Sequence, residues 1–337
     1  MISKLSGYLA IIAFLIFLSA LFYFIDEIYI ERTLPDKIEF RIERGERLNS
    51  VIGRLEDLGL VRNKFLVRLY TLFSGNESVK PGSYLIGTKY SIRDIFVNFI
   101  EGSDVEVRIF EGWTIKDIAW ALEENKVIKN ESSFLRLAKN FDNSLVKYEF
   151  LPNKSRVDLE GYLFPDTYRF QRGSGNSIIE MMLNNFDKKV YSRYQKSPEE
   201  LRNILIMASM LEREVKSEED MRLVSGILWK RFESEIALQV DATLVYVKCV
   251  LMIDPDKIDP TCRQITNGDK NLDSLYNTYL HKGLPSGAIS NPGLKAIEAA
   301  INPVESRYWY YLSARDDGRT IFSETLDEHN QNRVIYR

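Results

Sequence analysis

"LIMASMLEREV", residues 205–215, decides how the second half of the chain is read. Just upstream stand Ser197, Pro198 and Glu200. Ser at an N-cap, Pro at the first helical position and Glu three residues after the cap make a capping box with a helix-compatible proline. Leu201, Ile204, Leu205, Ala208, Leu211 and Val215 then recur at helical spacing and form one apolar stripe. Glu212 falls inside that stripe. Glu214 points roughly 160° away on the same wheel, because each residue advances the wheel by about 100°. Ser217 and Asp220 read as the cap of a following helix, so the first should end near Lys216. Glu212 then occupies a last turn, where burial and the negative helix terminus both disfavour its charged form. A carboxyl that keeps its proton near neutral pH can serve as a general acid. The competing reading is a structural carboxylate, paired with a buried arginine or tilted to solvent.

Working outward, the bulk composition narrows the classes of function. The chain has 337 residues, 45% hydrophobic and 28% charged, with a net charge of −3. Two or three domains are expected at that length. No basic footprint for nucleic acid is present. With two histidines (His281, His329) and two cysteines (Cys249, Cys262), a His/Cys metal centre has too few ligands, and no metal or other cofactor is expected. Neither the phosphate-binding G-x-x-x-x-G-K-[ST] motif nor the dinucleotide-binding G-x-G-x-x-G motif occurs.

From Leu5 to Ile25 no residue is charged, and "YLAIIAFLIFLSALFYFI" (8–25) is long enough to span a bilayer. Lys4 precedes it and Asp26-Glu27 follow, which puts the N-terminus inside and the remainder outside. An uncleaved single-pass anchor in the cytoplasmic membrane is expected; a cleaved signal peptide is the rival reading. In an oxidising compartment Cys249 and Cys262, in "KCVLMIDPDKIDPTCRQ" (248–264), could form a disulfide; two free thiols are the alternative.

The first half contains a repeat. "RIERGERLNSVIGRLEDLGLVRNKFLVRL" starts at Arg41 and "RIFEGWTIKDIAWALEENKVIKNESSFLRL" at Arg108. Gly45 aligns with Gly112, Leu48 with Ile115, Leu55 with Leu122 and Val61 with Ile128, at a constant offset of 67. Each copy reads as strand, Gly-turn, amphipathic helix, and second helix after Asn63 or Asn130. "VKPGSYLIGTKYSIRDIFVNFIEG" (79–102) adds strand, turn and helix. Further on, "LEGYLFPDTYRF" (159–170) suits a groove wall or a hinge packed on the core, "QRGSGNS" (171–177) reads as a loop, and a helix-rich block is expected from Ser177 to Phe232.

Taken together, "LEGYLFPDTY", "ASMLEREV" (208–215), "LQVDATLVY" (238–246), "YNTYLHKGLPSGAISNPGLKAIEAAINP" (276–303) and "FSETLDEHNQNRV" (322–334) resemble the endolytic murein transglycosylases of the YceG-like family, in order along the whole chain. The resemblance implies an α+β protein: a cytoplasmic N-terminus (1–7), transmembrane anchor (8–25), linker (26–37), LysM-like subdomain (38–103) and helix-rich catalytic domain (104–337) carrying a second LysM-like repeat at about 106–140. It implies a membrane-anchored enzyme that acts on peptidoglycan glycan strands, with a membrane-bound synthase as partner. Glu212 matches the family's catalytic glutamate. Gln239, Asp241, Thr243, Tyr246, Tyr276, Asn277, Thr278 and Asn291 match motif positions and, with Tyr279, are expected to contact substrate. Gly283, Pro285, Pro292 and Gly293 also match motif positions, and their Gly/Pro-dense loop is expected to line the cleft, with shaping of the backbone alone as the alternative; Ser286 stands where the family often has a second proline. A non-catalytic wall-binding scaffold and a hydrolase releasing reducing ends are the competing functions.

Overall fold

The computed structural model describes residues 2–74, 78–102, 104–146, 148–171, 175–252, 260–315 and 318–336. It divides into two compact units: Met1–Val105 with Arg169–Arg172, and Glu106–Tyr168 with Gly173–Arg337. The mixed, helix-rich α+β class follows from the elements themselves: helices dominate both units, and the strands form short two-stranded sheets.

The first unit begins with the helix Ile2–Tyr29, within which Ile11–Tyr29 is long and apolar enough to cross a membrane. Strand Ile38–Ile42 pairs antiparallel with Gly82–Ile86, Phe40 opposite Tyr84. Helices Leu48–Asp57, Lys64–Phe73 and Ile92–Glu101 complete the unit. Asn63 caps the second of these through its side chain, as its position predicts, accepting from Phe65 N and Leu66 N. Phe40, Tyr84, Phe96 and Phe99 interlock in the core, with Phe40 and Phe99 stacked 5.4 Å apart. The expected linker at 26–37 departs from the sequence reading, because it is folded into this unit. Arg32–Thr33 pairs with Lys89–Tyr90, and Ile28 lies in the core. Glu27 is fully buried yet satisfied: it accepts from the backbone N–H of Arg62 (2.9 Å) and Asn63 (3.2 Å) and from the Arg32 guanidinium (2.7 Å). A hydrophilic look in sequence conceals these partners, which lie up to 36 residues away.

The second unit carries the other repeat copy. Ile109, just past the strand Asp104–Arg108, donates its N–H to Asp166 O; the helices Ile115–Glu124 and Glu131–Lys139 follow. Asn130 caps the latter, accepting from Ser133 N. The expected loop at 171–177 lies partly outside the described residues. The central element is the helix Pro198–Glu214, opened by the reciprocal Ser197/Glu200 capping box with Pro198 in its first turn. Ser217 caps the next helix, Glu218–Glu233, by accepting from Asp220 N. The central helix buries more than the expected stripe. Ile206, Met207, Ser209 and Met210 are buried as well, since Glu218–Glu233, Leu294–Ile301 and the loop before the last of these surround it. A hairpin, Tyr310–Ser313 with Thr320–Ser323, and the helix Leu326–Tyr336 close the unit. Cys249 and Cys262 form a disulfide across a separation of 13 residues; residues 253–259 between them are outside the described set.

Candidate active site

Glu212 sits in the last turn of the central helix, half-buried. Two segments of chain meet it. One is Phe110-Glu111-Gly112-Trp113, closed by Trp113 N donating to Phe110 O at 3.3 Å. Gly112 has φ +75°, and a Cβ there would lie 3.3 Å from Glu212 Cγ, so glycine serves both the conformation and the close approach. The other is Asn291-Pro292-Gly293, which leads into the helix Leu294–Ile301. Gly293 N donates to Glu212 Oε2 at 2.9 Å. The Glu111 side chain lies against the same glycine: a Cβ on Gly293 would fall 2.0 Å from Glu111 Oε1. Arg213 Nη1 donates to Gly112 O at 3.2 Å and fixes the turn to the helix end.

Burial raises the Glu212 pKa above the usual carboxylate range. The Gly293 N–H opposes that by favouring the charged form, Glu111 pushes upward through its negative charge, and Arg213 pulls downward. The net direction is upward.

Beneath the two segments lies a polar knot. Asn291 is fully buried and uses both ends of its amide: Oδ1 accepts from Gly161 N and Leu163 N, and Nδ2 donates to Trp113 O and Glu160 Oε1. Its backbone completes the tie, with Gly112 N to Asn291 O at 2.9 Å and Asn291 N to Trp113 O at 2.7 Å. Glu160 also accepts from Ile115 N (3.0 Å) and the Tyr246 hydroxyl (3.3 Å). Complete burial, then the charge of Asp158, pushes Glu160 up to about 8 despite these donors.

The residues expected to contact substrate separate into two groups. Gln239, Asp241 and Tyr279 line a cavity of about 240 Å³ together with Glu214, the carboxylate on the other side of the central helix. There the Tyr279 hydroxyl donates to Asp241 Oδ1 at 2.5 Å, and Gln239, at φ +56°, donates its backbone N–H to Thr278 O. Tyr276 lines a separate cavity of about 240 Å³ with Glu160, Arg202 and Ser286. Thr243, Tyr246, Asn277, Thr278 and Asn291 are instead interior. Thr243 and Thr278 share a hydroxyl contact of 3.0 Å. Asn277 Nδ2 donates to Lys270 O and Leu272 O. Tyr246 packs its ring 5.0 Å from Tyr276. Their polar atoms are engaged in hydrogen bonds within the protein. The sequence reading overlooked Glu111 and Glu160. Glu111 was visible as the acid that precedes the repeat's glycine in the second copy, where the first copy has Arg44.

A half-buried carboxyl held between Gly112 and Gly293, on the central helix of an α+β unit, is the kind of group that can act as a general acid. The chain belongs to the YceG-like family, whose model matches residues 40–334. An endolytic murein transglycosylase of Bacillus subtilis (strain 168) is 26% identical over 324 residues, covering 91% of this chain and 87% of the relative. One from Streptococcus pneumoniae (serotype 2, strain D39) is 27% identical over 357 residues, covering 96% of this chain and 64% of the relative, so the chain spans less than two thirds of that protein. A crystal structure of a YceG-like protein from Listeria monocytogenes superposes with a TM-score of 0.56 at 28% identity, covering 88% of this chain and 99% of that one.

Proposed function

We propose that this chain is a membrane-anchored lytic transglycosylase. It cuts the β-1,4 bond between MurNAc and GlcNAc in peptidoglycan strands and leaves 1,6-anhydroMurNAc ends. The observation that carries this reading is the half-buried Glu212, held upward in pKa by burial and clamped at one oxygen by Gly293 N–H. The names of the two relatives point to the same substrate and reaction.

Glycosidic cleavage ordinarily uses two protein carboxyls. A lytic transglycosylase needs one, because the sugar's own C6 hydroxyl attacks. Protonated Glu212 donates to the glycosidic oxygen; the resulting carboxylate then takes the proton of the attacking hydroxyl. The Gly293 N–H fixes Oε2 and stabilises the carboxylate stage, which leaves Oε1 for proton transfer. Burial, and to a lesser degree Glu111, favour protonated Glu212 before the step, and Glu111 sets negative charge near the cation-like sugar during it. Intramolecular attack gains from proximity and needs no bound water.

The apolar helix supports anchoring, and the Lys4 and Asp26-Glu27 flanks support an inside N-terminus. Because residues 26–37 are folded, the first unit starts at the end of that helix and has no free leash. Glycan emerging near the membrane is then the substrate, cut internally, with a membrane-bound synthase as partner and the first unit as a LysM-like strand holder. Periplasm-active reporters fused at either terminus test the orientation: activity at the N-terminal fusion would reject it.

Glu212→Gln should fold with wild-type thermal stability and lose cleavage by about 100- to 10,000-fold, the range for a general acid. Digestion of labelled glycan strands, with products sized and their ends identified, reads out the reaction. Early long fragments with anhydro ends support the proposal. Reducing ends, disaccharides from the first time point, or a fully active Gln variant would each overturn the corresponding part of it.

A further inference from the structure

The helix Lys64–Phe73 presents an apolar face that the first unit does not use. Its inner face, Val67 and Thr71, is buried. Around the wheel, Leu66 and Tyr70 come next, with the Tyr70 ring 6.2 Å from that of Tyr29 at the end of the apolar N-terminal helix. The outer face is Phe65, Leu69, Leu72 and Phe73, spaced i, i+4, i+7, i+8. Phe65 is 68%, Leu72 62% and Phe73 79% exposed. Arg68 borders this stripe, and the helix has no acidic residue.

The contacts fix how this helix runs. Asn63, its cap, donates its N–H to Glu27. Tyr70, seven residues on, meets Tyr29. Seven residues of helix advance about 10 Å, whereas Glu27 to Tyr29 spans about 3 Å along the other axis. Contact points that advance so unequally point to a crossing of the two helices rather than a side-by-side run. If Ile11–Tyr29 spans a bilayer, Lys64–Phe73 lies across the end of the span, close to the membrane plane. Its apolar stripe adjoins the face that packs on the spanning helix, whose own surface exposes Phe22, Tyr23, Ile25 and Tyr29. The apolar surface is therefore continuous from one helix to the other.

The geometry points to a membrane-surface role for Lys64–Phe73: it seats in the lipid interface, with Phe65, Leu69, Leu72 and Phe73 in the acyl–headgroup boundary and Arg68 toward the headgroups. An aromatic stripe bordered by a cation is the composition that lies in an interface. With Glu27 tying the cap of this helix to the spanning helix, the first unit would rest on the bilayer at two points. The inference builds on the anchor reading of Ile11–Tyr29.

Both native cysteines are paired, so one introduced cysteine can be labelled selectively. Full-length Phe65→Cys, Phe73→Cys, Phe17→Cys and Arg44→Cys would each carry a nitroxide in bilayer nanodiscs of mixed anionic and zwitterionic lipid. Power-saturation electron paramagnetic resonance then compares exposure to oxygen, which partitions into lipid, with exposure to a water-soluble nickel chelate. Labels at 65 and 73 should fall between those at 17 and 44, with oxygen exposure above that at 44 and nickel exposure below it, while the label at 17 shows the highest oxygen-to-nickel ratio and the label at 44 the lowest. Labels at 65 and 73 as nickel-accessible as the one at 44, with a lipid-buried label at 17, would overturn the interfacial seat alone. Labels at 65 and 73 shielded from both reagents would also overturn it, in favour of protein contact such as a second copy. A nickel-accessible label at 17 would overturn the anchor reading and the seat together.

Discussion

The turn Glu43-Arg44-Gly45-Glu46 and the turn Phe110-Glu111-Gly112-Trp113 are the same local object. Each follows a strand, is closed by an N–H from its fourth residue to the carbonyl of its first, and places a glycine at positive φ, +84° and +75°. Each is followed by a ten-residue helix. Their surroundings differ completely. A Cβ on Gly45 would meet nothing within 4 Å, whereas one on Gly112 would press on Glu212. The carboxylates that serve the two turns also differ. Burial is the largest single influence on Glu46 and pushes it up, but bonds from Glu43 N–H, Ser50 and Arg54 together outweigh it and leave its pKa lowered. Glu160, bonded to the first N–H of the second copy's helix, is driven up to about 8 by burial. Local sequence specifies a turn; what the turn does depends on which distant segments pack on it.

Exchanging the residue before the glycine tests this comparison most severely. Glu111→Arg gives the second turn the cation of the first. A positive charge there favours ionised Glu212, so cleavage should fall by about 100-fold or more, the scale of a lost general acid. The milder Glu111→Gln removes a negative neighbour, lowers the Glu212 pKa, and should move the alkaline limb of the pH–rate profile to lower pH. The mirror change, Arg44→Glu, should leave cleavage unchanged. Equal effects in the two turns would remove the distinction between them.

A smaller effect is expected from alanine at the two glycines. Both changes force a left-handed non-glycine residue at a cost of roughly 1–2 kcal/mol, seen as lowered denaturation midpoints. Only Gly112→Ala should also reduce turnover, because its Cβ crowds Glu212. Undiminished activity of that variant would mean the close approach has no catalytic weight.

The subtlest difference concerns pH. Glu160, raised from 4.5 to about 8, has its stability contribution fully present below pH 4.5, where both states hold the proton. That contribution is lost as pH climbs to about 8, because the unfolded state has by then released its proton and the folded state has not. Glu46 has the opposite sign: its contribution is present above its ordinary value of 4.5 and lost as pH falls. Denaturant midpoints across this range should therefore decline toward alkaline pH in the wild type and flatten in Glu160→Gln. Glu46→Gln should alter only the acid side, and by less, since Glu46 lies near solvent. An unchanged alkaline decline in Glu160→Gln would assign it to another group.

What the sequence disclosed was mostly local. The Ser197/Glu200 box, the Asn63 and Asn130 caps, the repeat and the odd placement of Glu212 all rest on spacings of a few residues, and helix chemistry acts over that distance. What it concealed was satisfied from afar. Asn291 looks like a surface polar residue of a Gly/Pro loop, yet its partner carbonyl at Trp113 is 178 residues away. Glu27 looks like the charged flank of an apolar helix, yet backbone N–H groups of another helix entry enclose it. Asn277 and Thr278 match motif positions, and in the fold their side chains bond backbone groups of neighbouring loops. No periodicity distinguishes a side chain that grips a loop from one that grips a sugar.

The Asn291 knot also bears on when the chain becomes active during its own assembly. It joins residues 112–113, 160–163 and 291, at separations of 128 to 179 residues. Contacts that distant are slow to close, because the loop entropy is lost before the bonds form. Until they do, Gly293 is not delivered to Glu212 and Glu111 has no fixed neighbour. A partly folded chain therefore holds Glu212 as an ordinary solvated carboxylate, ionised and inert as an acid. On the proposed role of Glu212, a copy that has not closed this knot is expected to cut no glycan.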